Sequence, residues 1–463
     1  MLRLFKQYYP IRNAIFVLGE GLIIFLSVII ACRLIMGGAG LQVELGLLMK
    51  ALLITVACQV CLYYNDLYDL KITDTFVELG IRLLQALGAA AILLAIVYFI
   101  FPNVIIGEGI FIVSIAIVIM FIVSWRIGYT HILNRGLFNQ RIIILGSSDT
   151  AMEIAREIHE KKDCGYAIAA AVSKTMWSEV PGADDFGLIC QNSYENISQI
   201  ATQMKVGKIV VALKEKRGAF PIKELLKCRV DGIDIIDGNS FYEMLTGKLI
   251  VEQINPAWLI FSQGFQKRRS QRFLKRTTDL IISLSMLIVL LPLIIIVAIV
   301  IKLDSKGPVI FSQERVGEKH KPYMVHKFRS MRSDAEKETG PVWAQANDNR
   351  ITRSGNFMRK WRIDEIPQLW NVLKGEMSFV GPRPEREHFV KQLTEIIPYY
   401  GERFSVKPGL TGWAQVSYGY GATVRDAIEK LNYDLFYIKN MSILMDMMIV
   451  ARTVKTVLFG MGR

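Results

Sequence analysis

The sequence predicts a membrane protein built from four transmembrane helices, a parallel α/β middle domain, and an α-rich α+β domain that begins with a re-entrant membrane helix. Three patterns carry that expectation. Four apolar stretches fill the first third of the chain, strand-like and helix-like runs alternate through the middle, and a further apolar run, interrupted by Pro292, precedes a polar C-terminal region. A chain of 463 residues is also too long for one ordinary soluble domain. Its 52% hydrophobic content and mean hydropathy of +0.32 exceed soluble norms.

The four stretches lie near 14–35, 47–64, 83–101 and 110–123, the last extensible through Trp125 and Tyr129. A helix needs roughly twenty apolar residues to cross a bilayer. Arg3, Lys6 and Arg12 precede the first stretch, Lys71 and Arg82 separate the second from the third, and Arg126, Arg135 and Arg141 follow the fourth. The other two connections carry little positive charge, so both ends of this unit are expected in the cytoplasm. No clear small-residue cleavage site follows the first stretch, and no cleavable signal is expected.

Strands are expected at 141–146, 167–172, 208–213 and 232–236, with helices at 149–159 and 222–227. This alternation suggests a Rossmann-like sheet. Its nucleotide fingerprint is degenerate: Gly146-Ser147-Ser148-Asp149-Thr150-Ala151 keeps only the first glycine, and no obvious ribose-binding acid follows the second strand. A scaffold or dimerisation domain is the first reading and regulatory nucleotide binding the second. The expected domains are 1–135, the transmembrane part; 136–258, a degenerate Rossmann-like (CoA-binding-like) domain; 259–275, a basic linker; and 276–463, the re-entrant helix with the reactive domain.

Asp279 leads into the apolar run 280–301, which could span by length. Pro292 should kink or break it. Basic residues flank both ends (Lys275 and Arg276 before; Lys302, Lys306 and Arg315 after), which favours entering and leaving on the cytoplasmic face. The final run, 441–461, reads as an amphipathic helix lying in the interface or packed on the core. Of the six cysteines, Cys58 and Cys61 form a C-x-x-C inside an apolar run and read as packing residues. The net charge of +13 suits anionic lipid headgroups and phosphate-bearing substrates. No nucleic-acid motif accompanies it, and no nucleic-acid partner is expected.

The chemistry concentrates at Asp364-Glu365, between Lys327-Phe328-Arg329 and Gly381-Pro382-Arg383-Pro384-Glu385. An ordinary aspartate, with a pKa of about 3.9, is ionised at neutral pH and can attack phosphorus. An anionic electrophile demands positive compensation. Lys327, Arg329, Arg350, Arg353, Arg359, Arg362, Arg383 and Lys407 offer it, and Mg²⁺ held by one or two carboxylates would add more. Pro367 suits a first helical turn, which would place the acids at a helix start with free N–H groups nearby. The bland alternative is an acid pair that caps the helix and pairs with arginines. Pro382 and Pro384 stiffen the loop around Arg383, and Lys407-Pro408-Gly409-Leu410-Thr411-Gly412 forms a second turn-rich element.

These motifs, with Gln313-Glu314-Arg315-Val316-Gly317, Arg350-Ile351-Thr352-Arg353, Met377-Ser378-Phe379-Val380 and Trp413-Ala414-Gln415-Val416, closely resemble the bacterial sugar transferases, or monotopic phosphoglycosyl transferases. The likeness runs from about Lys275 to the C-terminus. Four preceding spans and a degenerate Rossmann-like domain resemble the large subclass that primes exopolysaccharide, capsule or O-antigen synthesis. The nearest likeness is to polyprenyl glycosylphosphotransferases of exosortase-linked clusters. The resemblance implies a ping-pong reaction at the cytoplasmic face of the bacterial inner membrane. In it, Asp364 attacks the β-phosphate of a UDP-sugar, expels UMP, and passes the phosphosugar to polyprenyl (undecaprenyl) phosphate. Glu365 would assist Mg²⁺ and orient the nucleophile, so both carboxylates are candidate metal ligands. Lys327, Arg359 and Arg383 match phosphate-site positions, Asp279 and Pro292 match residues that shape the re-entrant helix, and Asp434 and Asp446 match two further aspartates. A Ser-Pro break is common in that helix; here it is Leu291-Pro292. The expected partners are UDP-sugar, polyprenyl phosphate, membrane lipids and a second copy as a homodimer.

Two other classes compete. A membrane-bound nucleotide-sugar dehydratase or epimerase needs an intact glycine loop and a Tyr-x-x-x-Lys pair; Tyr323 and Lys327 are the candidate here, outside the Rossmann-like region. A non-catalytic polysaccharide-assembly scaffold leaves the cationic loops around Asp364 without a task.

Overall fold

A computed structural model describes residues 2–4, 7–9, 11–36, 45–68, 76–106, 110–134, 139–161, 164–174, 187–190, 194–213, 220–254, 264–265, 267–332, 350–419, 421 and 423–460. Lys6, Lys71, Arg135, Met461 and the expected boundary at residue 258 lie outside these. The four N-terminal stretches form helices α1 (Ile11–Met36), α2 (Leu45–Tyr64), α3 (Phe76–Ile100) and α4 (Ile110–Asn134). By length and apolarity α1 to α3 can each cross a membrane, and α4 carries a shorter apolar helix, Val113–Tyr129. Their shared interior holds Ile24, Val28, Cys58, Cys61, Leu87 and Ile122, while Leu18, Leu22, Leu84 and Ile92 face outward. The C-x-x-C thiols are thus buried packing groups, as the sequence suggested. One ion pair is embedded there: Arg126 donates to Glu20 at 2.9 Å and to the Leu67 carbonyl at 2.6 Å. Isolated charge in a bilayer is costly, and this pairing offsets it.

The middle sheet is five-stranded and wholly parallel. In chain order its strands are β1 (Gln140–Leu145), β2 (Tyr166–Ser173), β3 (Gly187–Cys190), β4 (Lys208–Val211) and β5 (Asp234–Asp237), and they lie side by side as β3-β2-β1-β4-β5. Helices α5 (Asp149–Glu160), α6 (Ile197–Gln203) and α7 (Ile222–Val230) connect them. Strand β1 is buried along Ile142–Leu145, as a central parallel strand must be. Gly146, at φ +109°, lets the chain turn against β4: a Cβ there would sit 2.4 Å from the Ala212 carbonyl oxygen. Strand β3 and helix α6 were not foreseen, because 187–190 is short and 197–203 carries mixed polarity.

Residues 239–463, with 5–7, make up a second compact unit. By packing it includes Leu249, Val251 and Ile254, which share a core with Leu369, Trp413 and Leu435. The sequence had assigned those residues to the middle domain through 258; their apolar side chains fill the later core instead. Within this unit lie helix α8 (Arg269–Asp304), the antiparallel hairpin β6 (Ile310–Val316) and β7 (Pro322–Phe328), helix α9 (Arg353–Lys360) and helix α10 (Gln368–Lys374). The short parallel pair β8 (Ser378–Val380) and β9 (Gly409–Thr411) and helices α11 (Glu387–Ile396), α12 (Val424–Asn440) and α13 (Ile443–Leu458) complete it. Helix α13 buries Met445, Asp446 and Ile449, so the last run packs on the core.

Helix α8 runs 36 residues with Pro292 inside it. Proline withholds the N–H that Ile288 would otherwise receive. Both halves dock on the same unit. In the first, Arg276 donates to the Val372 and Leu373 carbonyls at 2.5 and 2.7 Å, and Asp279 accepts from Ser378 Oγ at 2.8 Å and Phe379 N at 3.0 Å. In the second, Val297 and Ile301 pack with Phe328 and Met358. Between and around these anchors Ile281, Ile288, Val289 and Ile296 remain exposed, an apolar surface suited to lipid.

Candidate active site

Asp364 and Glu365 lie in a separate 3₁₀ turn, Ile363–Glu365, ahead of α10. Arg362 precedes them at φ +53°, a left-handed conformation costly for a residue with a side chain, and it turns the chain out of α9. Pro367 therefore stands just before the helix, not inside its first turn. The N–H groups of Glu365, Ile366, Leu369 and Trp370 already bond backbone carbonyls. The expected supply of free N–H groups is largely used up by the tight turn, and the cations carry the anion-holding capacity.

Strand β7 brings Lys327 to the turn. Asn371 fixes that strand against α10: its Oδ1 accepts from His326 N at 3.1 Å, and its Nδ2 donates to the Met324 carbonyl and to Glu376, both at 2.7 Å. Strands β8 and β9 run parallel, so the loops after them leave at one end. Gly381 N donates to the Thr411 carbonyl at 2.8 Å, and Gly409 N to the Pro382 carbonyl at 2.9 Å. A Cβ on Gly409 would lie 2.0 Å from Gly381 N, so only glycine permits this approach. The loop after β8 presents Arg383.

Glu365 is the hub. Its Oε1 accepts from Arg383 at 2.9 Å and Lys327 at 3.1 Å, and its Oε2 from Arg362 at 3.5 Å. Burial alone would raise its pKa, but Arg383, Lys327 and Arg362 together hold it well below the usual carboxylate range. Asp364 is equally buried, yet makes no hydrogen bond or ion pair among the described residues. Burial, then the neighbouring Glu365 charge, push its pKa up to about 6, against Lys327, Arg359 and Arg383. Burial also lowers the pKa of Lys327, against the pull of Glu365. Buried donors remain unspent beside the pair: Arg359 Nη1 and Arg362 Nε have no hydrogen-bond partner among the described residues. A carboxylate with open lone pairs, ringed by cations with spare donors, can receive an anion.

The structure thus brings Lys327, Arg359, Arg362 and Arg383 to the acids. Of the other four expected cations, three (Arg329, Arg353 and Lys407) lie at helix ends. Arg329 donates to the Ile301 carbonyl at 3.3 Å and the Ser305 carbonyl at 2.6 Å, closing the C-terminus of α8. Arg353 begins α9 near Asp304, and Lys407 lies by Arg276 at the end of α10. None of the three bonds Asp364 or Glu365. Carbonyls at a helix C-terminus carry partial negative charge and compete for cations, a competition invisible in sequence. Arg350 pairs through its backbone with Arg332 at 3.0 Å.

Asp434 and Asp446 prove to be ties. Asp434 accepts from Arg403 at 2.9 Å, and Arg403 also donates to the Arg383 carbonyl at 3.0 Å and to Tyr400 Oη. Asp446 accepts from Lys275 and Tyr437, both at 2.8 Å. Arg403 and Asn371 were not singled out from sequence. Tyr323 and Lys327, the pair a dehydratase would need, lie on a hairpin strand, with Lys327 committed to Glu365.

The geometry defines an anion-handling acid pair on a membrane protein. The family described as Bacterial sugar transferase matches residues 270–460, and the chain belongs to that family. It is 40% identical over 238 residues to a UDP-N-acetylgalactosamine-undecaprenyl-phosphate N-acetylgalactosaminephosphotransferase of Aeromonas hydrophila, covering 51% of this chain and 55% of that protein. It is 31% identical over 339 residues to a UDP-glucose:undecaprenyl-phosphate glucose-1-phosphate transferase of Escherichia coli strain K12, covering 71% and 70%. To an exopolysaccharide production protein of Rhizobium leguminosarum bv. phaseoli it is 45% identical over 189 residues, covering 39% and 93%. The chain spans about half the length of the Aeromonas relative.

Proposed function

We propose that this protein transfers a sugar-1-phosphate from a UDP-sugar to undecaprenyl phosphate at the cytoplasmic face of the inner membrane, initiating exopolysaccharide or other glycoconjugate synthesis. The observation that carries the reading is the contrast within the acid pair: Glu365 is held by three cations, while Asp364 is buried beside them without a hydrogen bond among the described residues. A committed carboxylate orients and balances charge; an uncommitted one can react.

In the first half-reaction an Asp364 carboxylate oxygen attacks the β-phosphorus. The bond from that phosphorus to the bridging oxygen breaks, and UMP leaves with the electron pair. In the second, a phosphate oxygen of the lipid attacks the same phosphorus, Asp364 is freed, and the polyprenyl diphosphate sugar departs. Lys327, Arg359, Arg362 and Arg383 lower the charge cost of both approaches. The names of the Aeromonas and Escherichia relatives support this substrate pair.

The residues also fit Mg²⁺. Among the described residues Asp364 has unclaimed oxygens, and Glu365 Oε2 has only its 3.5 Å contact with Arg362. One or two carboxylates completed by substrate phosphates is the usual magnesium arrangement. When bound, the ion would neutralise phosphate charge. The Rossmann-like reading of the middle sheet is supported by its strand order, which is the doubly wound one. The re-entrant reading of α8 is supported by the docking of both its halves on one unit.

The test uses membranes and UDP-sugars labelled in the β-phosphate, screened across glucose, galactose and their N-acetylated forms. We expect UMP release, label on the lipid, and no labelled enzyme adduct in Asp364→Asn. Release of UDP, or full activity of that variant, overturns the proposal.

A further inference from the structure

We infer that a groove along the second half of α8 holds the first isoprene units of the acceptor lipid and delivers its phosphate to Asp364. The inference rests on the proposed function and adds where the lipid binds. Ile294, Ile295, Ala298, Ile299 and Leu303 recur at helical spacing on one side of α8, and Val309 borders the open groove they form, a space of about 430 Å³. Its walls are apolar except at the end of the helix, where Lys302 stands exposed. A polyprenyl phosphate has the matching polarity: a branched hydrocarbon tail and one anionic head.

The groove also leads somewhere. Ile294 and Val309 pack in the same cluster as Ile363 and Ile366, which flank the acid pair, and as Phe328, next to Lys327. A lipid lying there would have its tail against α8 and its head on the side of the reacting carboxylate. Ala298 is the smallest side chain in its lining. An ordinary anionic phospholipid shares the head and tail chemistry, so the experiment separates the two sources.

The probe is a polyprenyl phosphate carrying a photoreactive group near its head, applied to the full-length protein in phosphatidylcholine nanodiscs. Crosslinks should map to 294–303 and be competed by undecaprenyl phosphate but not by added phosphatidylglycerol. Equal competition by phosphatidylglycerol, or crosslinks elsewhere, overturns the inference. Ala298→Trp, which fills the groove, should raise the acceptor KM by about tenfold while the labelled adduct forms with unchanged yield. Lys302→Ala should raise that KM as well, and Lys302→Arg should restore it. An unchanged acceptor KM in Ala298→Trp, with adduct intact, overturns the groove alone; a wild-type enzyme that forms no adduct overturns the proposed function instead.

Discussion

The two adjacent carboxylates differ in charge behaviour because they meet different neighbours. Glu365 is pulled down by Arg383, Lys327 and Arg362, whereas Asp364 is lifted to about 6 by burial and by Glu365 itself. The nucleophile proposed above must be ionised, so adduct formation should fall as pH drops through about 6. Glu365→Gln removes the charge that raises Asp364 and should move that midpoint to lower pH. Arg383→Ala removes one that lowers it and should move the midpoint up, with a rate loss of about 10²-fold or more. Single-turnover UMP release across a pH series reads all three; a midpoint that stays put in both variants would refute the electrostatic account. Stability runs the other way. A carboxyl raised by burial stabilises the fold while protonated, fully so below its unfolded pKa, and that contribution disappears as pH rises through about 6. The acid pair and its nearest cations were legible in sequence because like residues cluster there. Which cation goes where was not: Arg329 and Lys407 are recruited to the ends of helices whose packing only the fold reveals.

At the scale of elements, α8 ties a long apolar run to the unit that carries the acid pair. Asp279 is buried and accepts two bonds from β8, one from Ser378 and one from Phe379, just before the loop that carries Arg383. Asp279→Ala leaves both donors buried without a partner, at about 1–3 kcal/mol each. We expect a lowered thermal midpoint, read in detergent by intrinsic fluorescence, and weaker UDP-sugar binding as Arg383 drifts. Asp279→Asn keeps one acceptor and should recover part of the loss; if Ala and Asn behave alike, the tie is not structural. The long apolar helices were readable because twenty apolar residues in a row admit few other fates. Their ends were less so: α3 begins at Phe76, earlier than expected, since Glu78 and Arg82 pair across one turn at 2.7 Å and extend the helix past its apolar part. Strand β3 escaped notice because four residues carry too little pattern.

At the scale of the whole molecule, the position of the acid pair relative to the bilayer decides whether a cytosolic nucleotide sugar can reach it. The Arg276 side chain bonds α10, and the Arg329 side chain bonds the opposite end of α8, so both ends of one apolar helix are tied to one polar unit. A straight helix of that length would extend about 54 Å, well beyond a hydrocarbon core of about 30 Å. If it crossed the membrane, its ends would emerge on opposite faces and could not both be held by a unit on one side. Phe273 and Leu303, near the two ends, are 74% and 82% exposed, which makes each a clean site for a reporter thiol. Cys32, Cys58, Cys61, Cys164 and Cys228 are buried and should give little background, and the sixth cysteine is removed by Cys190→Ser. In Phe273→Cys and Leu303→Cys, a membrane-impermeant maleimide should label both positions in inverted vesicles and neither in intact spheroplasts. Labelling of one position from each side would mean that α8 crosses the bilayer, and the re-entrant reading would fall with it.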